Sequence, residues 1–210
     1  MSADATLERL ADIRIIPVIV IDDADRAPDL AAALAAGGIP CAEITLRTPA
    51  GLAAIGAIAG IPGFVAGAGT VVTVDQVDRC VDAGAEFLVS PGFDDDVVAR
   101  ARYHDIAILP GVATATEIQR ALRAEISVLK FFPADRLGGL ETIAALSAPF
   151  TDVRFVPSGG VGASNAASYL LHPAIFGISG SWMAPRATIA AGDFAAIESL
   201  SRAASALVNS

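Results

Sequence analysis

Short, continuous apolar runs alternate with longer Ala-rich stretches from one end of the chain to the other. The first run, residues 15–21, lacks in/out alternation, which predicts a strand buried on both faces. A helix follows to Ala36, starting after the acidic stretch 22–25 and stopping at Gly37-Gly38. The same unit recurs at a spacing of roughly 25 residues. Further strands are predicted at 42–46, 64–69, 87–89, 107–109, 127–132, 153–156 and 175–178. The matching helices are predicted at 49–59, 73–83, 94–103, 116–124, 139–146, 164–171 and 193–208, with a short leading helix at 5–12. Eight strand–helix units in strict order predict an α/β architecture, a (β/α)8 TIM barrel with a short N-terminal helix across its bottom. An open doubly wound sheet would need fewer strands or a flavodoxin-like crevice. No linker or composition break interrupts the pattern, so residues 1–210 are expected to form one domain.

The composition is 54% hydrophobic and 18% charged, which argues against disorder. No apolar run nears the roughly 20 residues that span a bilayer, so no membrane segment is expected. The net charge of −9 and the lack of a basic stripe speak against nucleic acid as a partner. An anionic substrate would therefore need locally concentrated positive groups. Residues 1–12 contain no basic region leading into an apolar segment, so no export signal is expected and a cytoplasmic location is. Cys41 and Cys80 match neither a CxxC nor a zinc spacing. They read as free buried thiols, and no metal is expected.

Of the 14 Lys and Arg residues, only Lys130 is lysine. It falls within the apolar strand at 127–132, an unusual place for a solvated cation. An unpaired buried ammonium is costly, so such a lysine is paired or loses its proton more easily. An uncharged amine can attack a carbonyl and form a Schiff base. Alternation puts Val128, Lys130 and Phe132 on the inner face, and Leu129 and Phe131 on the outer. The plainer reading is a lysine paired with a carboxylate for stability.

The same alternation puts Glu43, Thr45 and Arg47 on one face of the strand at 42–46. Glu43 could exchange protons with a substrate hydroxyl or an enamine carbon. Arg47 could clamp a carboxylate. A structural Glu–Arg pair is the alternative. Thr70, ending the Gly67-Ala-Gly69 strand, could donate to a carboxylate or keto oxygen; Gly67 reads as relief of crowding. Pro91 either shapes a pocket wall or turns the chain. Ser158-Gly159-Gly160 and Gly180-Ser181 are glycine turns after the last two strands, where barrels commonly bind phosphate. Ordinary barrel turns would look much the same. His104 and His172 lie near helix ends, and the aspartates at 22–25 and 94–96 read as helix caps.

Together these segments resemble the 2-keto-3-deoxy-6-phosphogluconate (KDPG) / 4-hydroxy-2-oxoglutarate aldolases. The likeness is carried by Pro17-Val-Ile19, Glu43-Ile-Thr45-Leu-Arg47, Gly67-Ala-Gly69-Thr70, Ser90-Pro91-Gly92, Lys130-Phe-Phe132-Pro133, Gly159-Gly160 and Gly180-Ser181-Trp182. The resemblance implies a class I aldolase that cleaves the small-molecule 2-keto acid 2-keto-3-deoxy-6-phosphogluconate to pyruvate and glyceraldehyde 3-phosphate, with Lys130 as the Schiff-base lysine and Glu43 as general acid/base. It implies that Arg47 and Thr70 hold the pyruvate carboxylate and that Phe132 packs beside the imine. Gly159, Gly160, Gly180 and Ser181 would bind phosphate. It also implies a homotrimer and no cofactor. Ser158 stands where the family often has threonine, which bears on sugar discrimination. The galactonate epimer, 4-hydroxy-2-oxoglutarate and, in a different class, non-catalytic sugar-phosphate binding remain alternatives.

Overall fold

Neighbouring strands pair in parallel throughout the computed structural model, which describes residues 2–209. The order is α1 (Ala3–Ile13), β1 (Ile15–Ile19), α2 (Ala27–Ala36), β2 (Cys41–Thr45), α3 (Gly51–Ile58), β3 (Val65–Gly69), α4 (Val74–Asp82), β4 (Phe87–Val89) and α5 (Asp95–Tyr103). It continues with β5 (Ala107–Leu109), β6 (Gly111–Val112), α6 (Ala115–Arg123), β7 (Val128–Phe131), α7 (Gly139–Ser147), β8 (Arg154–Pro157), α8 (Ala166–Leu170), β9 (Ile178–Gly180), α9 (Arg186–Ala191) and α10 (Phe194–Ser205).

The strands form two arcs. One runs β5-β4-β3-β2-β1-β9 and the other β6-β7-β8. Pro110 separates β5 from β6 and has no N–H to give a ladder, although its carbonyl accepts from the Lys130 amide at 3.0 Å. At the other junction, isolated bridges at the ends of β8 and β9 join the arcs, Phe155 with Ile175 before β9 and Ser158 after β8 with Ser179. Counting β5 and β6 as one interrupted strand, the ring closes with eight strands: the TIM barrel expected from the pattern. α1 touches β1, β3 and β5 at once, which requires a helix laid across one end of the ring. Arg9 of this helix pairs with Glu86, just before β4, at 3.0 Å, so the end it covers is the amino-terminal one.

Local chemistry explains most boundaries. Thr73, Asp94 and Asp193 cap α4, α5 and α10, and Thr114 with Glu117 forms a capping box on α6. Asp23 accepts from the Asp25 amide at 3.1 Å, in keeping with the capping expected there. α2 stops at Gly37, where any Cβ would lie 2.4 Å from Ser201 Cβ on α10. Inside the ring, Phe87 occupies the space left at Gly67, whose Cβ would come within 2.2 Å of the phenyl ring. Outside it, Phe131 and Phe155 meet edge-on with centroids 6.4 Å apart.

Three expectations need correction. The last strand is Ile178–Gly180, not 175–178, so Gly180 belongs to the strand rather than the turn. Beyond the strand expected at 107–109, Gly111–Val112 resumes pairing after Pro110. Finally, α9 lies between the last strand and the closing helix, where none had been expected.

Candidate active site

At the carboxyl ends of the strands lies a cavity of about 310 Å³. β2 delivers Glu43 and Thr45 to it, with Arg47 just beyond. Thr70 and Pro91 follow β3 and β4. β7 supplies Lys130, with Phe132 one step past its end. Ser158 and Gly159 follow β8, while Gly180 and Ser181 close the ring at β9. Ten of the eleven residues singled out from the sequence therefore share one wall; the exception is Gly160. Two lining residues, Val18 and Thr45, had not been selected.

The Lys130 amine lies 3.5 Å from Glu43 Oε1, with the two side chains 9% and 1% exposed. Lys130 Nζ also sits 5.2 Å from the centre of the Phe132 ring, within cation–π range. Glu43 Oε1 has no hydrogen-bond partner, while Oε2 accepts from Ser179 Oγ at 3.4 Å. A pair built only for stability would satisfy the buried carboxylate more fully, since buried ions repay their desolvation only with good geometry and added hydrogen bonds. This one is loosely paired at the floor of an open cavity. The plain ion-pair reading is therefore present geometrically without accounting for the cavity.

Thr45 Oγ1 donates to the Ile19 carbonyl at 2.8 Å and accepts from Arg47 Nε at 3.3 Å. Thr45 thus tethers the guanidinium over the cavity. Thr70 has φ +62°, a left-handed conformation rarely adopted by a β-branched residue. Such strain persists only where surrounding structure imposes it, and it tends to gather at ligand sites.

The turn after β8 contains two left-handed glycines, Gly159 at φ +88° and Gly160 at +84°. Asn165 pins it by donating to the Gly160 carbonyl at 3.0 Å and accepting from the Gly162 amide at 2.9 Å. A Cβ at Gly160 would lie 2.1 Å from Asp135 Cβ, so Gly160 permits the close approach of this turn to the segment after β7. Gly180 has the corresponding role at β9, where a Cβ would meet the Trp182 ring at 2.3 Å.

The histidines lie elsewhere. His104 Nε2 is 2.7 Å from Asp78 Oδ1, and Arg100 holds the same carboxylate. Hydrogen bonds from Arg100 and then His104 keep the Asp78 carboxyl below its ordinary range. His172 Nδ1 accepts from the Ala174 amide at 3.2 Å. Among the described residues, no group of three or more His, Cys, Asp or Glu is placed to hold a metal. No helix among them is long and apolar enough to cross a membrane.

A model of the aldolases described as "KDPG and KHG aldolase" matches residues 7–200. The chain belongs to this family. A relative from Treponema pallidum, named 2-dehydro-3-deoxy-phosphogluconate aldolase, is 48% identical over 93% of each chain. The crystal structure of the 2-keto-3-deoxy-6-phosphogluconate aldolase of Zymomonas mobilis with 3-phosphoglycerate is 41% identical, with a TM-score of 0.89 over 98% of this chain and 95% of that one. The Legionella pneumophila KDPG aldolase, solved with pyruvate captured as a covalent carbinolamine, is 37% identical, with a TM-score of 0.91 over 94% of this chain and 97% of that one. The protein is thus an aldolase, a carbon–carbon lyase, rather than a non-catalytic sugar-phosphate binder.

Proposed function

We propose that this aldolase cleaves 2-keto-3-deoxy-6-phosphogluconate to pyruvate and glyceraldehyde 3-phosphate through a Schiff base on Lys130. The observation that carries the reading is the lysine amine 3.5 Å from Glu43 Oε1 on the floor of the cavity. The names of its relatives support the same substrate.

In this reading, the Lys130 amine adds to the C2 ketone and water leaves, giving a protonated imine that acts as an electron sink. Glu43, directly or through water, removes the C4 hydroxyl proton. The C3–C4 bond then breaks, its electrons passing into the enamine as the aldehyde forms. Glu43 returns a proton to C3, and hydrolysis frees pyruvate and the lysine. Arg47 and Thr70 hold the carboxylate, and Phe132 and Pro91 wall the pocket. Ser158 faces the distal part of the substrate. The backbone amides of Gly159, Gly160 and Gly180, with the Ser181 hydroxyl, receive the phosphate. The same active site is proposed to operate as a cytoplasmic homotrimer. Light scattering should then give three times the 21.3 kDa chain mass.

The test is incubation with pyruvate, borohydride reduction and mass spectrometric mapping. The adduct is expected on Lys130 and nowhere else. Unmodified Lys130 with turnover intact would reject the route. Lys130→Arg should be inactive, because a guanidinium stays protonated. Comparing kcat/KM for the gluconate-type, galactonate-type and unphosphorylated keto acids tests the substrate assignment, which requires the first to lead.

A further inference from the structure

We propose that Ser179 is the positioning residue for Glu43, fixing which of the two carboxylate oxygens faces the chemistry. The inference rests on the reading of Glu43 as the proton-transfer group. Ser179 lies in β9, is 1% exposed and does not line the cavity. Its hydroxyl donates to Glu43 Oε2 at 3.4 Å. The other oxygen, Oε1, makes no hydrogen bond and faces Lys130 Nζ at 3.5 Å.

The surroundings leave Ser179 as the group that divides the carboxylate in this way. From β3, Glu43 is faced by Gly69, which has no side chain; a Cβ there would lie 2.3 Å from Oε1. From β1, its register partner is the apolar Val18. The charged groups sharing its cavity are Lys130 from β7 and Arg47 beyond β2. Arg47 hydrogen-bonds Thr45. A buried hydroxyl needs a partner, and a carboxylate with one oxygen tethered is held against rotation. Ser179 therefore keeps Oε1 free to move protons while Oε2 carries the anchoring bond.

The test uses the full chain with Ser179→Ala and Ser179→Thr. For Ser179→Ala, kcat should fall about threefold to tenfold, at or below the worth of one charged hydrogen bond because the contact is long at 3.4 Å, with KM within about twofold. Borohydride trapping of pyruvate on Lys130 should persist, which also reports an intact barrel. Ser179→Thr, which keeps the hydroxyl, should restore kcat. An unchanged kcat in Ser179→Ala, or a loss that Ser179→Thr does not repair, would overturn the proposal while leaving the Schiff-base reading standing. Failure of the wild-type enzyme itself to trap pyruvate would overturn both.

Discussion

Gly69 and Glu43 share one volume: a Cβ on residue 69 would lie 2.3 Å from Glu43 Oε1 and 2.6 Å from its Cγ. The two are adjacent across β2 and β3, where Glu43 aligns with Gly67 and Thr45 with Gly69. The missing side chain on β3 is thus what admits the carboxylate to the barrel interior. Gly69→Ala should push that carboxylate aside. A displacement of about 1 Å at a reacting group can cost about a hundredfold, so kcat is expected to fall by that order. Trapping of pyruvate on Lys130 should survive. Steady-state kinetics beside borohydride trapping checks this, and wild-type kcat would contradict it.

Gly160 sits off the cavity wall yet sets the shape of the turn beside it. Gly160→Ala must take φ +84° and meet Asp135 Cβ at 2.1 Å. Left-handed strain with overpacking should cost about 1–3 kcal/mol, read as a lower urea midpoint. KM for the phosphorylated keto acid should rise, while KM for the unphosphorylated one should not. An equal rise in both would detach this turn from phosphate binding.

Burial pushes the Cys80 thiol up to about 11, against a smaller opposing effect of Arg79. Burial likewise raises Cys41 strongly, far above the ordinary thiol range. The thiolate is the reactive form. Iodoacetamide at pH 8 should therefore label the native protein slowly and the urea-unfolded chain at both sites. Fast native labelling at either cysteine would contradict the burial described.

Asp78 is held below its ordinary range by Arg100 and His104. A carboxyl lowered by folding contributes stability at pH above its unfolded value. That contribution disappears as pH falls through the lowered folded value. The stability difference between wild type and Asp78→Asn should thus be constant at neutral pH and shrink below about pH 4. Urea midpoints from pH 3 to pH 7, an interval chosen to bracket the ordinary carboxylate range of about 4, would measure it. A difference independent of pH across that interval would contradict the assignment.

Much of this molecule was legible in its sequence because strand periodicity is strict. Once 127–132 and 42–46 were read as strands, a period of two placed Lys130 and Glu43 on inner faces, and both line the cavity. Alternation puts Thr45 on the same inner face, but its bond to Arg47 is a side-chain geometry that spacing does not encode. Val18 is apolar and reads as core, although it aligns with Glu43 across β1 and β2. α9 does carry a signal in the sequence, with Pro185 at its start and Gly192 just past its end. Gly67 and Gly69 look alike in sequence. Only the structure separates the one that yields to a phenyl ring from the one that yields to a carboxylate.

The interruption at Pro110 and the isolated bridges beside β8 and β9 divide the barrel wall into two arcs. Glu43 stands on the longer arc of strands and Lys130 on the shorter. Their 3.5 Å approach therefore joins the two arcs, whose β8–β9 edge has only isolated bridges where the edges beside it have ladders of three and four register pairs. Gentle warming should widen that gap first, extinguishing turnover at temperatures where the helices still register as folded.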